Sequence, residues 1–171
     1  MTPPILSTTR LTLSPHEPGD LEEMASMHAD PGFYALLSNK PTPREEVWHR
    51  LLRYIGHWQV AEYGHWVVRD SATRTWLGEV GIMDSRRGTV PDFEGVPEVG
   101  WGFRGDAQGR GFAREALEAV FGWADPRLSR TMCIIDPGNA PSRRLAERLG
   151  FVAFAEGLYR DKPTLILERT M

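Results

Sequence analysis

The stretch from Pro97 to Ala124, PEVGWGFRGDAQGRGFAREALEAVFGWA, decides how the rest of the chain is interpreted. Its first part, Glu98–Phe103, alternates residue types with the period of two that is typical of a β-strand. Its last part follows Gly111 and carries apolar residues at three- and four-residue steps, which predicts an amphipathic helix with a stripe of Ala113, Ala116, Leu117, Val120 and Ala124. The stretch therefore predicts a strand, a glycine-rich turn and a helix.

The turn between them, residues 105–111, indicates an anion site. Free backbone N–H groups and the positive end of the helix dipole favour a phosphate or pyrophosphate at such a helix start. Three arginines add positive charge, namely Arg104, Arg110 and Arg114. The loop lacks the Gly-Lys-Ser/Thr ending of a Walker A loop, and Arg114 stands where a dinucleotide fingerprint beginning at Gly109 needs Gly or Ala. A glycine turn that only starts a helix fits these residues as well.

A second informative segment is NAPSRRLAERLGF, Asn139–Phe151. Asn139 is a favourable N-cap, Pro141 is tolerated in a first helical turn, and Gly150 is a favourable residue after a helix. Leu145 and Leu149 are four residues apart and share a face. The residues alone predict a short, well-capped helix.

Composition narrows the class of protein. The 171 residues predict one domain, spanning 1–171, with a net charge of −3 that gives no basic footprint for nucleic acid. No run reaches the ~18 apolar residues of a membrane span, and the first residues do not have the pattern of a secretory signal. The single cysteine, Cys133, is expected to be a buried core residue in a cytoplasmic protein. The scattered histidines predict no metal site.

Periodicity predicts the order β, α, α, β, β, β, α, β, α, β, β. The elements are strands at 8–14, 65–69, 76–84, 98–103, 130–135, 151–155 and 164–170, and helices at 20–28 and 44–62, after Gly111 and after Asn139. Residues 29–42 and 85–96 are expected to be loops, and residues 158–163 to link the last two strands. This order predicts a mixed sheet covered by helices.

Three motifs resemble the GCN5-related N-acetyltransferases (GNAT). Gln108–Ala113 fits Gln-x-x-Gly-x-Ala, which is similar to the acyl-CoA pyrophosphate loop of that family. Asn139-x-x-Ser142 before a helix that ends in Leu-Gly-Phe resembles the family's second CoA-contacting helix. The string Thr-x-Arg-Leu-x-Leu at 8–13 resembles the opening strand of the RimJ/RimL branch.

The resemblance implies an α/β fold with a mixed, mostly antiparallel central sheet of about seven strands flanked by about four helices. It implies acetyl-CoA as cosubstrate and no metal. The pyrophosphate would lie on Gln108, Gly109, Arg110, Gly111, Phe112 and Ala113, and the pantetheine arm along Trp101 and Phe103 with Asn139 and Ser142. A bulge at Gly102 would free the strand edge, and the Phe103 amide would stabilise the thioester oxyanion.

The attacking amine must lose a proton, which requires a base or an ordered water. Glu98 is the first candidate and Glu79, on the neighbouring strand, the second; either could instead be a structural charge. For protonation of the leaving thiolate the resemblance implies Ser142 or Tyr159, of which we favour Ser142.

The function implied is transfer of the acetyl group of acetyl-CoA to a primary amine in a ternary complex. The acceptor would be a small molecule or a protein N-terminus, and the protein a monomer or homodimer. The competing interpretation is a noncatalytic acyl-CoA-binding or regulatory module with the same fold.

Overall fold

The computed structural model describes residues 2–171 and contains eight strands and five helices. The strands are β1 (Leu6–Ser7), β2 (Leu11–Pro15), β3 (His65–Asp70), β4 (Trp76–Met83), β5 (Glu98–Phe103), β6 (Arg130–Ile135), β7 (Val152–Tyr159) and β8 (Lys162–Thr170). The helices are α1 (Leu21–His28), α2 (Pro31–Tyr34), α3 (Arg44–Ala61), α4 (Phe112–Ala124) and α5 (Ala140–Arg148). The mixed α/β fold is confirmed; the short β1 and α2 are additions that the sequence pattern did not predict.

One sheet organises the chain, in the order β1-β2-β3-β4-β5-β6-β8-β7. Neighbouring strands pair antiparallel, except that β5 and β6 run parallel. β6 is paired over its whole length with β8, from Arg130–Thr170 to Ile135–Leu165. It meets β5 at a single register position, so the sheet is joined there by one point of contact.

The two sides of the sheet carry separate apolar cores. α4 and α5 cover one side, which we call the α4 face, over buried residues that include Leu11, Val80 and Val99. α1, α2 and α3 cover the other side, the α3 face, over a smaller core that includes Val67 and Met83. Successive residues of a strand point to opposite faces, and β3 and β4 contribute side chains to both cores.

The predicted strand and helix at 97–124 are confirmed at the predicted bounds. Val99 and Phe103 are buried on the α4 face, with Trp101 partly buried beside them. Cys133 is buried in the same core, and burial raises the pKa of its thiol, as expected for an unreactive core residue.

Two local predictions are wrong, and Asp20, the N-cap residue of α1, makes no side-chain cap. Its carboxylate accepts the Glu17 N–H at 2.7 Å and closes the turn before the helix. Part of the expected loop at 29–42 is α2, with Asp30 as its side-chain cap. The last two strands are longer than predicted, because Arg160 and Asp161, both with positive φ, make a tight turn between them.

Within residues 2–171, no helix has the length and apolarity needed to cross a membrane. Over the same residues no group of three or more metal-ligating side chains is arranged to hold a metal ion.

Candidate active site

The sheet splits between β5 and β6. Glu98 pairs with Met132, whose N–H donates to the Pro97 carbonyl at 2.9 Å, and beyond that point β6 leaves β5 and follows β8. Because backbone groups alternate in direction along a strand, the residues in phase with Pro97 direct theirs toward β6. Trp101 and Phe103 therefore present backbone groups to an open gap.

A bulge does not create this gap. β5 pairs with β4 in continuous register from Glu98–Met83 to Phe103–Gly78, so the predicted bulge at Gly102 is wrong. Gly102 serves another purpose, since a Cβ there would lie 2.5 Å from Cε2 of the Phe33 ring. The edge of β5 is free because β6 diverges, and the small residue lets an aromatic ring pack on the α3 face.

The glycine-rich loop lies at the open end of the gap. Gly109 and Gly111 have φ of 72° and 80°, which favours glycine, and α4 begins directly after them. Within the described residues, the N–H groups of residues 109–113 donate to no protein acceptor; the first helical bond of this turn is donated by Glu115 to the Gly111 carbonyl. Free amides at the positive end of a helix fit the pyrophosphate of acetyl-CoA.

The charges around the loop differ from the prediction. Arg104 pairs with Asp106 at 3.2 Å and Arg114 with Glu118 at 2.7 Å. Among residues 2–171, Arg110 is the loop arginine that forms no ion pair with a carboxylate, and its guanidinium lies 4.7 Å from the Phe112 ring centre.

Sequence reasoning missed Arg10 as a member of this loop. Its guanidinium lies 4.5 Å from the Phe112 ring, and its Nη1 donates to the Arg110 carbonyl at 3.1 Å. An ion pair with Glu115, at 2.6 Å, fixes it at the start of α4. The signal that could have identified it is the Thr-x-Arg-Leu-x-Leu string, in which it is the arginine.

The side chain of Gln108 is engaged with backbone. Its Nε2 donates to the Gly32 carbonyl at 2.8 Å and to the Phe103 carbonyl at 3.0 Å. A second link is made by the Asp30 carboxylate, which accepts the N–H groups of Gly105 at 2.6 Å and Gly32 at 3.1 Å. Gln108 therefore ties α2 to the loop, and both donors of its side-chain amide are used by protein carbonyls rather than kept for a phosphate.

Asn139, Ser142 and Trp101 lie together beside the gap. Asn139 caps α5 by accepting the Ser142 N–H at 3.1 Å, and its Nδ2 donates to the Leu36 carbonyl at 3.1 Å. The Trp101 Nε1 donates to the Ser142 Oγ at 3.3 Å. The structure thus brings together three of the residues predicted to contact pantetheine.

Glu98 and Tyr159 lie near each other on the α3 face. Glu98 is buried, and Arg87 binds both carboxylate oxygens, at 2.8 and 2.6 Å. The Arg87 guanidinium lies 5.0 Å from the Tyr159 ring. Burial raises the pKa of Glu98, and Arg87 offsets part of that rise. Ser142 contacts Trp101, which points to the opposite side of β5, so the two candidate acids lie on different faces.

A buried polar network surrounds Glu79 on the same α3 face. Tyr54 donates its hydroxyl to Glu79 at 3.1 Å, and the Nε2 atoms of His28 and His16 lie 3.5 and 3.8 Å from the carboxylate. Burial alone would raise the pKa of Glu79, but the two histidines outweigh it and hold that pKa well below its usual range. Burial, followed by the Glu79 charge, raises the pKa of Tyr54 to about 12. The Glu79 charge is therefore stabilised by its polar neighbours, against the effect of burial.

His65 connects the network to β5. Its ring stacks on Tyr54 at 4.3 Å, and a Cβ on Gly100 would lie 3.6 Å from its Nε2. Burial lowers the pKa of His65 to about 3, so the imidazole is neutral at neutral pH. His16, His28 and His65 were not predicted to act together.

Substitution of Gly111 tests the loop directly. Gly111→Glu is expected to weaken acetyl-CoA binding about 100-fold or more, because a carboxylate would repel the pyrophosphate at the helix start and pair with Arg10, whose Nη2 lies 3.4 Å from the Cβ position. Isothermal calorimetry measures the change. Gly111→Ala is the matched control, since it shares the positive φ at a cost of about 1 kcal/mol without adding charge. Wild-type affinity in the glutamate variant would mean that the loop does not bind the ligand.

Comparison with known proteins agrees with this geometry. The family model for the acetyltransferase (GNAT) domain matches residues 10–152. The Bacillus subtilis protein YkkB, which is uncharacterized, is 30% identical over 145 residues, 80% of this chain and 76% of YkkB. A Bordetella pertussis structure assigned to the GnaT family has a TM-score of 0.87 at 30% identity and covers 98% of this chain and 100% of that one.

A more distant structure shares the fold. The Salmonella typhimurium acetyl transferase that modifies the N-terminal serine of ribosomal protein L7/L12 has a TM-score of 0.77 at 16% identity, over 98% of this chain and 99% of that one. The family match and the close relatives cover the split sheet, the loop and α5 together. The chain belongs to the GNAT family of acetyltransferases, enzymes that transfer the acetyl group of acetyl-CoA.

Proposed function

We propose that this protein transfers the acetyl group of acetyl-CoA directly to a primary amine in a ternary complex, as an enzyme of the RimJ/RimL type. One observation carries the proposal: the split of the sheet leads from free helix amides at residues 109–113 to a buried carboxylate, Glu98, at the point where the strands rejoin. Acetyl-CoA would thus lie along this gap, with its pyrophosphate at the loop and its acyl group toward the proton acceptor.

Binding and activation of the thioester use backbone groups. Acetyl-CoA supplies the activated acyl group. The loop amides and Arg110 hold its pyrophosphate, and the open edge of β5 orients the pantetheine arm. The N–H groups of Trp101 and Phe103 direct toward the gap. That of Trp101, which is two residues nearer Glu98 and whose side chain contacts Ser142, is the donor for the developing oxyanion.

Glu98 takes the proton of the attacking amine. A protonated amine has no lone pair for attack, so a nearby base with a raised pKa is useful near neutral pH. Burial raises the pKa of Glu98, whereas the pKa of Glu79 is lowered and its carboxylate is surrounded by Tyr54, His28 and His16. The contrast favours Glu98 over Glu79.

Ser142 is the preferred proton donor to the leaving thiolate. Its oxygen already accepts from Trp101, which leaves the hydroxyl proton free to donate. It also lies beside Asn139, at the side of the gap where the thiol would leave. Tyr159 is the alternative and lies on the opposite face with Arg87.

The acceptor is a small amine or a protein N-terminus; the distant Salmonella relative is named for the second kind. The competing function is that of a noncatalytic acyl-CoA-binding module. Under either function the protein would be a monomer or a homodimer. Turnover separates the two functions, because both require the loop.

The test is thermal unfolding with acetyl-CoA, with ATP and NAD as controls, followed by CoA release in the presence of amines. A ligand at 100 times its dissociation constant adds about 2.7 kcal/mol, which is a rise in Tm of roughly 5 to 10 °C for a chain of this size. A shift with acetyl-CoA together with amine-dependent CoA release supports the enzyme. A shift without release for any amine favours the binding module, and no shift contradicts both.

A further inference from the structure

The α3 face beside Glu98 is rich in arginine. Four guanidinium groups lie along one chain of contacts there, at Arg50, Arg53, Arg87 and Arg160. The Nη1 of Arg50 lies 3.4 Å from the Tyr54 hydroxyl, and the Arg53 guanidinium lies 5.6 Å from the Tyr54 ring. The chain as a whole carries a net charge of −3, so this concentration is local.

Side-chain contacts link these arginines to Glu98, the proposed base. Tyr54 stacks on His65, and His65 lies over Gly100 of β5. Gly100 and Glu98 share the α3 face, being two residues apart on one strand. Glu98 is bound by Arg87, which lies 5.0 Å from the Tyr159 ring, and Arg160 lies 5.2 Å from that ring.

Carboxylates in the chain balance only part of this charge. Glu98 pairs with Arg87, while Glu79 and, at longer range, Glu46 act on Arg50. Among residues 2–171, neither Arg53 nor Arg160 forms an ion pair with a carboxylate. Both are exposed, so their charges face whatever enters from this side.

An acceptor that carried only an ammonium group would meet net repulsion here, whereas one with a carboxylate near its amine would be attracted. Arginine is also suited to carboxylates, because its planar fork makes paired hydrogen bonds. We propose that the acceptor is an amine bearing a carboxylate, and that Arg53 binds this carboxylate on the α3 face. Arg160, and Arg87 beside Glu98, add to the local positive charge. The inference rests on the proposed function and specifies its substrate class.

The carboxylate could belong to a free amino acid or to an acidic residue near a peptide N-terminus. Matched pairs distinguish the sources: glycine with methylamine and phenylalanine with phenethylamine for the first, and Ser-Asp-Ala amide with Ser-Asn-Ala amide for the second. In at least one pair the carboxylate-bearing member is expected to have a KM about tenfold lower, the size of one charged hydrogen-bonding contact.

Arg53→Ala tests the assigned residue. It is expected to raise KM about tenfold for the carboxylate-bearing member of a pair. The KM of the member without the carboxylate should not change, and kcat should change little for either. Arg53→Lys should restore part of the loss. Arg148→Ala, an exposed arginine at the end of α5, is the matched control and should change neither KM. Calorimetry of each pair on the CoA-bound protein measures the same preference without turnover.

The outcomes separate this inference from the proposed function. If no pair shows a preference for the carboxylate, in turnover or in calorimetry, the inference is wrong even if amines are acetylated. An Arg53→Ala variant that weakens both members equally also contradicts it. If no amine is acetylated at all, the proposed function fails, while the calorimetric preference still decides whether Arg53 binds carboxylates.

Discussion

Replacement of Glu98 by glutamine is expected to lower kcat for amine acetylation about 100-fold to 10,000-fold, the range of general-base contributions. Glutamine has nearly the same shape but cannot accept the proton of the amine. Acetyl-CoA affinity should stay within about twofold of wild type, because the loop at residues 109–113 lies at the other end of the gap. Steady-state kinetics and calorimetry measure the two quantities separately.

The pH dependence gives this experiment a second readout. Only the deprotonated carboxylate of Glu98 can act as a base, and burial raises its pKa, so activity is lost on the acid side at a higher pH than for an exposed glutamate. Arg87 favours the charged form. Arg87→Gln should therefore move this acidic limb to still higher pH, and Glu98→Gln should remove it.

Two other glutamates serve as controls. Glu94→Gln, exposed on the loop that carries Arg87, should leave kcat unchanged. Glu79→Gln tests the alternative base: kcat, measured for the folded fraction of this variant, should fall less than in Glu98→Gln. A Glu98→Gln variant with wild-type kcat would show that Glu98 only pairs with Arg87, and that another group takes the proton.

The strand, loop and helix of the gap could be predicted from sequence because several local signals coincide there. The period of two in Glu98–Phe103 stops at Arg104, and the apolar helical stripe starts after Gly111. The glycines whose φ is positive, Gly109 and Gly111, lie between the two periods. Each signal depends only on neighbouring residues, so the bounds were correct to the residue.

The partners across the site could not be predicted in this way. Arg87 reaches Glu98 from an irregular loop, and Arg10 reaches Arg110 over 100 residues. His16 and His28 meet Glu79 only because β2, β3 and β4 are adjacent and α1 crosses their α3 face. Such contacts depend on sheet order and register, about which a local pattern carries no information.

Tyr159 lies in a strand where the sequence pattern predicted a linker. Residues 158–163 were expected to link the last two strands, and Pro163 within them cannot donate to a ladder. The structure accommodates it opposite Leu158, next to the two-residue turn at Arg160 and Asp161. Tyr159 is thus the last residue of β7, held by the sheet and directed toward Arg87.

Glu79→Gln is expected to lower the free energy of unfolding by about 3 to 5 kcal/mol, the cost of breaking a buried charge network from one side. The corresponding fall in Tm is roughly 6 to 20 °C for a chain of this length. Tyr54, His16 and His28 all face this carboxylate in the interior, and an amide cannot satisfy all three. Chemical denaturation at pH 7 measures the change, with Glu156→Gln, an exposed glutamate on β7, as a control expected to stay within about 0.5 kcal/mol of wild type.

The effect should depend on pH with a definite sign. The pKa of Glu79 in the folded protein lies well below its ordinary value of 4.5, so its charge stabilises the fold fully above that value. The contribution is lost as the pH falls from 4.5 through the folded pKa. The difference in stability between wild type and Glu79→Gln should therefore be largest near neutral pH and shrink in acid. A difference below about 0.5 kcal/mol at pH 7, or one that grows as the pH falls, would show that the enclosed charge does not hold α1 and α3 on the sheet.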